Sequence, residues 1–426
     1  MLQEIPYWWH DALPTLGARK AVESNCDVVI IGAGYTGLSA AIELARSGKS
    51  VQVFDRGIAG AGASSMNGGI LSGNLRLGLK ASMDAYGEEV GLAFYNEGIV
   101  AREAFREFAK LEAIDCDLKY NGRFTGAMTA KDFEAMKRAA TFENDALGTN
   151  IRILERINQN EIIGSNIYHG GILRDDIGSI HPAKFFQGLL RVAIDAGVII
   201  HENTSVTDIS GQFLIQILHN RSIGKIKCKN VIVATNGYGD NSNGWLRRRV
   251  VPITSRMIAT NIISPDIISK LMPKMGTFGE ARYLARYYRP SPDGTRILLG
   301  GRDVLAGNNP NGAVKKLTDN LITIFPELRE IGVQYHWSGQ VAFTRDEMPS
   351  LFEKNGIIYV CGYCGSGTIW APWLGRKAAH MIMENKKKYT LFLRQPPKAI
   401  PMYYGWPWFL PFVIAWFGLW DWIKGR

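Results

Sequence analysis

The sequence predicts an α/β fold in which a parallel sheet covered by helices is interleaved with a second, antiparallel layer. Three observations carry this prediction. A strand, a glycine turn, a helix and a second strand follow one another from Asp27 to Asp55. A comparable strand and helix pattern returns over about 185–239 and again over about 357–382. Between about 250 and 335 the pattern changes to short strands that alternate polar and apolar residues.

In the first unit, Val28 to Ile31 form a short apolar strand, and Leu38, Ala41, Ile42 and Ala45 then recur at the helical period until Gly48 supplies a left-handed stop. Between strand and helix, Gly32, Gly34 and Gly37 stand at G-x-G-x-x-G spacing. The first glycine allows the tight turn, the second lets backbone approach a pyrophosphate, and the third brings helix and strand together. The N–H groups that open the helix favour negative charge. Asp55 ends the strand VQVF about twenty residues further on, where a carboxylate accepts hydrogen bonds from a ribose. An adenine dinucleotide is the ligand this order predicts, because an ordinary tight turn leaves Asp55 unexplained.

Ahead of this unit, residues 1 to about 25 form a leader whose aromatic cluster, Tyr7, Trp8 and Trp9, is expected to pack across the domain surface. After Asp55, the stretch GIAGAGASSMNGGILSGN is too rich in small residues for a helix and suits close backbone approach to a ligand. Helices are expected over about 88–112 and 130–148, with YNGRFTGAM between them as a short strand pair. A second α/β unit follows, with Phe185, Phe186, Leu189, Leu190, Ala193 and Ile194 on one helix face, a stop at Gly197 and a closing strand VIVATNGYG at 231–239. Ligands sit beyond the carboxyl ends of such strands, so Thr235, Asn236 and Gly237 are expected beside the dinucleotide. In the second layer RYLARYYRP and TRILLGG read as strands joined by a Pro-Ser-Pro-Asp-Gly turn. Near residue 336 the α/β signature returns, with IIYVCGYCGSG and a helix through Leu374, Ala378, Ala379, Met381 and Ile382. The nucleotide-binding part therefore takes residues 1–80, 150–248 and 336–395, the other layer takes 81–149 and 249–335, and 396–426 form a C-terminal tail.

The 426 residues can bury a substantial core, and 49 basic against 39 acidic residues give a net charge of +10 that attracts anionic partners. That charge is dispersed. Its tightest clusters, Arg247 to Arg249 and Lys386 to Lys388, lack the interleaved aromatics of a single-strand binding platform, so nucleic acid is not an expected partner. Five cysteines make no disulfide framework and no cleavable secretory signal opens the chain, so a reducing cytoplasmic setting is expected. Cys361 and Cys364 span a strand end and a glycine turn rather than a helix start. No second pair completes a zinc site, so small buried side chains are expected there, not a redox dithiol and not a metal.

Four stretches in order carry a resemblance: the glycine turn to Asp55, GASSMNGG at 62–69, VIVATNGYG at 231–239, and WSGQVAFTRDEMPSLFEKNGIIYVCGYCGSG at 337–367. Over roughly residues 25–390 the chain resembles the FAD-dependent D-amino acid oxidase superfamily. Within it, the chain is similar to the bacterial amine and amino-acid oxidoreductases of the gamma-glutamylputrescine oxidase kind. The resemblance implies a Rossmann-type FAD-binding domain of the GR2 class interleaved with an antiparallel-sheet α+β substrate domain. It implies non-covalent FAD, since Gly339 stands where sarcosine-oxidase relatives carry the cysteine that attaches flavin. The implied cofactor contacts begin with the turn Gly32 to Gly37, including Tyr35 and Thr36, and with Asp55 beside Arg56. They continue through Ser64 and the turn Asn67, Gly68 and Gly69 near the isoalloxazine, then Val206, Thr235, Asn236 and Gly237. Gly362, Gly365, Gly367 and Thr368 close the flavin site, with Asp346 in the neighbouring strand turn. N–H groups after Gly367 favour a reduced, anionic flavin, while Ser366 and Thr368 suit capping of that helix. The chain departs from these relatives in Asp55 for a frequent glutamate, Met66 for a frequent arginine and Ser366 for a frequent histidine.

The implied activity is oxidation of the C–N bond of an amine or amino acid, with hydride transfer to flavin N5, hydrolysis of the imine, and dioxygen or a quinone as final acceptor. The pocket must favour the free-base amine, for which aromatic walls serve, and Tyr283, Tyr287 and Tyr288 are the candidates. A substrate carboxylate calls for a planar guanidinium, for which Arg282, Arg286, Arg302 and Arg345 lie in the right segments. Tyr287, Arg286 and Arg302 form the expected catalytic set, and His181 and His336 are expected to be structural. Two other functions compete: a flavin-binding but non-catalytic subunit of a membrane-associated complex, and a tRNA-modifying flavoenzyme suggested only by the charge.

From Tyr403 to Trp420 the tail carries no charge, but Pro407 and Pro411 break it, and the remainder is shorter than the roughly twenty residues of a spanning helix. Its tryptophans with Lys424 and Arg426 suit either an interfacial segment at the inner face of the cytoplasmic membrane or packing on protein. Membrane attachment favours a quinone as acceptor, and a tail off the membrane favours dioxygen.

Overall fold

The computed structural model describes residues 2–17, 20–211, 213–301, 310–384 and 389–426. Val28, Val29 and Ile30 are fully buried because the strand that carries them, Asn25–Ile31, runs through the middle of a sheet covered on both faces. The strand order is Ser350–Lys354, Ile357–Cys361, Ser222–Val233, Asn25–Ile31, Val51–Phe54 and Ile199–His201. From Val231 to Val233 outward, the central pairings are parallel. Helices Tyr35–Arg46, Pro182–Asp195 and Gly367–Ile382 cover one face in a single apolar cluster with Val28 and Ile30. The other face, with Val29, Val231 and Val233, is covered by the antiparallel strands Thr204–Ser210 and Leu214–His219 rather than by helices.

The second sheet, also eight-stranded among the described residues, runs Val333–Phe343, Val251–Thr260, Ile297–Gly301, Tyr287–Pro290, Thr277–Glu280, Arg123–Gly126, Gly171–Arg174 and Ile151–Leu154. Helices Pro265–Leu271 and Pro310–Ile324 pack on one of its faces, and the other looks toward the nucleotide-binding sheet.

Several local expectations change here. YNGRFTGAM holds one strand, not a pair; Arg123–Gly126 finds its partners at Gly171–Arg174 and, in parallel, at Thr277–Glu280. One parallel ladder therefore makes this sheet mixed. Thr277–Glu280 and Ile297–Gly301 are buried throughout, because both sheet faces are covered, so no polar alternation marks them. Strands Ile151–Leu154, Gly171–Arg174 and Val333–Phe343 pair into this sheet, although the segment bounds read from sequence put 150–174 and 336–343 in the nucleotide-binding part. VIVATNGYG leaves the sheet after Val233 and closes as a 3-10 turn at Asn236–Tyr238. The glycine and serine stretch does contain one helical turn, Ala63–Met66, which carries the site's Ser64.

The leader does more than cover a surface. Trp8 is fully buried and its Nε1 donates to the Asn67 carbonyl at 2.9 Å, while Trp9 Nε1 donates to Ser65 Oγ at 2.9 Å. It braces the turn that follows Ala63–Met66.

Candidate active site

A cavity of about 330 Å³ opens at the carboxyl ends of Asn25–Ile31 and Val51–Phe54 and extends to the start of helix Gly367–Ile382. Of the residues singled out from sequence, Gly32, Gly34, Tyr35, Thr36, Asp55, Arg56, Ser64, Asn67, Val206, Thr235, Asn236, Gly365, Gly367 and Thr368 line it. Gly37, Gly68, Gly69, Gly237 and Gly362 do not, and each has another place. Gly37 packs on the Gly32 carbonyl, Gly237 lies against Gln340 and Ala342, and the Gly362 N–H donates to Asn236 Oδ1 at 2.9 Å. Gly68 and Gly69 belong to the turn that meets the second sheet. Tyr238, Gln340 and Tyr363 also line the cavity and carried no sequence signal beyond lying in the right segments.

Asp55 shows why the acid ends its strand. Its Oδ2 accepts the Ala33 N–H and its Oδ1 the Gly57 N–H, both at 2.9 Å, which fixes the carboxylate at the cavity edge. Burial nevertheless pushes its pKa above the usual carboxylate value, so the group has use for further donors, such as a ribose diol. Gly34 at the N-cap of Tyr35–Arg46 has no side chain to cap the helix, and a Cβ there would come 2.9 Å from Ser64 Oγ. Ser64 Oγ accepts the Tyr35 N–H at 3.0 Å, and this helix start, the bare glycine backbone and the carboxylate at this spacing fit the ADP half of FAD.

At the far end, Asn67 organises the turn: Oδ1 accepts the Gly69 N–H at 2.7 Å, and Nδ2 donates to the Ser64 carbonyl at 2.9 Å. Thr36 Oγ1 and the Tyr363 hydroxyl lie 2.5 Å apart, tying the two helix starts together. Ser366 holds the N-cap position of Gly367–Ile382, yet its hydroxyl donates to the Asn74 carbonyl at 2.7 Å instead of capping the helix. Thr368 Oγ1 reaches Asn67 Oδ1 at 3.4 Å. Cys361 and Cys364 are free and buried, and burial pushes the Cys364 thiol up to about 12, so no reactive thiolate forms there near neutral pH. Asp346 is exposed in its turn and pairs with Arg394, away from the cavity.

The three tyrosines part company. Tyr287 lies against Gly68, whose Cβ would meet its Cε2 at 3.0 Å, and its hydroxyl is 3.0 Å from Ser255 Oγ. Gly300 makes room for the ring, since a Cβ there would sit 2.3 Å from Tyr287 Cζ. Met66, Met257 and Trp337 pack with it into an apolar wall beside the Asn67 to Gly69 turn, next to the cavity but not among its lining residues, with Trp337 Nε1 donating to the Met66 carbonyl at 2.8 Å. Tyr288 points the other way, fully buried and stacked on Phe278, and Tyr283 stacks on Phe417 of the tail. Neither is a wall of the site.

The arginines are corrected likewise. Arg286 is buried on the face of Tyr288, with Nε and Nη2 each 2.7 Å from a Glu280 oxygen, so its fork is already filled. Arg282 lies between Glu280 and Asp421, and Arg345 is exposed. Arg302 lies outside the described residues. His181 caps Pro182–Asp195 by accepting the Lys184 N–H, and burial lowers its pKa to about 4, which keeps it neutral. His336 is buried in strand Val333–Phe343 and burial lowers its pKa as well.

Known proteins resemble this chain in sequence and in fold. Gamma-glutamylputrescine oxidoreductase of Escherichia coli is 30% identical over 88% of this chain and 88% of its own length. The probable oxidoreductase OrdL of Rhizobium meliloti is 28% identical over 93% of this chain and 92% of its own. In fold, the crystal structure of glycine oxidase from Geobacillus kaustophilus superposes with a TM-score of 0.73 at 21% identity, covering 89% of this chain and 99% of that one. The family described as FAD dependent oxidoreductase matches residues 27–381, from the first strand through the helix that closes the cavity. Match and cavity agree, and the chain belongs to the FAD dependent oxidoreductase family.

Proposed function

We propose that this chain oxidises the C–N bond of an amine or amino acid, with FAD held non-covalently in the cavity. The carrying observation is the apolar wall of Tyr287, Met66, Met257 and Trp337 standing over the Asn67 to Gly69 turn. Bound in the cavity, FAD supplies the acceptor that takes a hydride from the carbon bearing nitrogen. The wall's task is to disfavour the ammonium form by desolvation, so that the neutral amine is presented; the imine product then hydrolyses in water. The names of the relatives support this substrate class, since one acts on gamma-glutamylputrescine and another on glycine. The cysteines support non-covalent binding: all five are buried, and burial raises every thiol pKa, so none is poised to attach the flavin. Anaerobic mixing of the yellow protein with gamma-glutamylputrescine, putrescine, glycine and L-amino acids is expected to bleach the flavin for at least one of these classes. Flavin that stays oxidised throughout supports the silent-subunit reading instead.

The tail favours a second element of this proposal, contact with a membrane surface. Among the described residues no helix is long and apolar enough to cross a membrane. Helix Leu410–Ile423 is instead docked on the substrate domain by Asp421, which is 1% exposed and accepts the Tyr283 and Leu284 N–H groups at 3.0 and 3.1 Å. The segment ahead of it leaves Trp406 almost bare at 79% exposure, and its own outer side leaves Trp422 so at 77%, with Phe412 and Trp416 also exposed on the helix. An aromatic face with Lys424 over the Trp420 ring and Arg248 over the Tyr404 ring suits the headgroup layer of an anionic bilayer and access to quinone. Wild type is expected to sediment with phosphatidylglycerol vesicles, and Trp406→Ser with Trp422→Ser to weaken this by about tenfold, ~1.4 kcal/mol. Wild type remaining in the supernatant favours dioxygen as acceptor and a protein cover for the face.

A further inference from the structure

Arg123 opens strand Arg123–Gly126, and the two-residue period of the strand decides where it points. Phe124 is buried in the core with Phe278 and Tyr288, so Arg123 and Thr125 face the opposite side, the one that carries Tyr287. A Cβ on Gly279 would come 2.7 Å from Arg123 Nη2, and Gly279 is the register partner of Tyr287. Tyr287 in turn lies on Gly68. Guanidinium, bare glycine, tyrosine and flavin-side turn therefore form one row across neighbouring strands, and at ~4.8 Å per strand the row is roughly 10 Å long.

Arg123 lacks a carboxylate and, unlike Arg289, whose guanidinium donates to the Pro290, Gly69 and Ile180 carbonyls, its side chain has no acceptor either. Its neighbours are neutralised: Arg174 by both oxygens of Glu143 at 2.6 and 2.7 Å, Arg102 by Asp176, and Arg286 by Glu280. Among the described residues the Arg123 side chain has no hydrogen bond and no ion pair, and the Arg174 charge beside it makes its position worse. Burial and that neighbour lower its pKa to about 10, which still leaves it cationic. A half-buried guanidinium without a counter-charge is unfavourable in the free protein, and its planar fork matches the two oxygens of a carboxylate.

We infer that Arg123 binds a carboxylate on the substrate, placed several bonds from the amine that is oxidised. This rests on the amine-oxidation reading and narrows it to amines with a remote acidic group. An α-amino acid is too short to span the row with its amine above the turn. A chain of five to seven methylenes suits it.

The test compares 6-aminohexanoate and 8-aminooctanoate with hexylamine and octylamine. In wild type kcat/KM is expected to favour the acids by about a hundredfold, the scale of hydrogen bonds to charged groups. Arg123→Met is expected to abolish that preference through KM while leaving the two alkylamines unchanged, and Arg123→Lys, which keeps the charge without the fork, to retain only part of it. Heptanoate, which has no amine to oxidise, is titrated calorimetrically in parallel, with at least tenfold weaker binding expected for Arg123→Met. Equal heptanoate binding by wild type and Arg123→Met, or equal losses on acids and alkylamines, overturns the inference. Protein whose flavin no amine bleaches defeats the amine-oxidation reading, whereas heptanoate titration of the same protein still reads Arg123 alone.

Discussion

Gly37→Ala is expected to give protein that purifies without flavin, with FAD affinity at least a hundredfold below wild type, ~2.7 kcal/mol. A Cβ at position 37 would lie 1.9 Å from the Gly32 carbonyl oxygen and 3.2 Å from Ile30 Cγ2. The oxygen has nowhere to go. Gly32 is held by its N–H bond to the Phe54 carbonyl at 2.8 Å and by φ of +107°, with the Ala234 carbonyl 2.9 Å from where its own Cβ would be. The strain must then displace the turn itself, and with it the backbone at Gly34 that lines the cavity. Gly78→Ala is the control, since its Cβ would meet nothing within 4 Å and the residue lies outside the cavity lining. Absorbance at the flavin band after purification, followed by reconstitution with FAD, measures both. Gly37→Ala protein that retains FAD as wild type does would show that the glycine spacing is incidental.

This glycine turn was legible in the sequence because its signal is local: spacing, helix period and acid all fall within one βαβ unit. Sheet membership was not. Arg123–Gly126 pairs in parallel with a strand far along the chain, and nothing within RFTG records that partner. The period of two did hold more than was taken from it. Arg286 and Tyr288 stand on either side of Tyr287, so a strand cannot turn all three toward one pocket. The unpaired state of Arg123 was hidden for a different reason, since it depends on which arginine Glu143 selects. In the tail, Asp421 was the overlooked signal: a lone acid in an apolar segment must find donors, and it finds two backbone N–H groups and Arg282. The leader's Trp8 and Trp9 likewise carry indole N–H groups that needed acceptors, and they found them at Asn67 and Ser65.

Glu280→Ala is expected to destabilise the protein by about 3–5 kcal/mol, the cost of leaving a buried partner charge uncompensated. The Glu280 side chain is fully shielded and receives Arg286 at 2.7 Å on both oxygens, the Tyr168 hydroxyl at 3.1 Å and, more distantly, Arg282. Its loss strands Arg286 in a core that also encloses Tyr288 and Phe278. Adding Arg286→Met removes the stranded charge and is expected to recover most of the stability, so the two substitutions are strongly non-additive. Urea unfolding of wild type, both single variants and the double variant measures the coupling. The same set separates the two candidate anion sites. If Arg286 bound substrate, freeing it from Glu280 would tighten carboxylate binding and Arg286→Met would abolish it. The filled fork instead predicts that heptanoate affinity is unchanged in the double variant, because the guanidinium that lacks a partner lies two strands away, at Arg123.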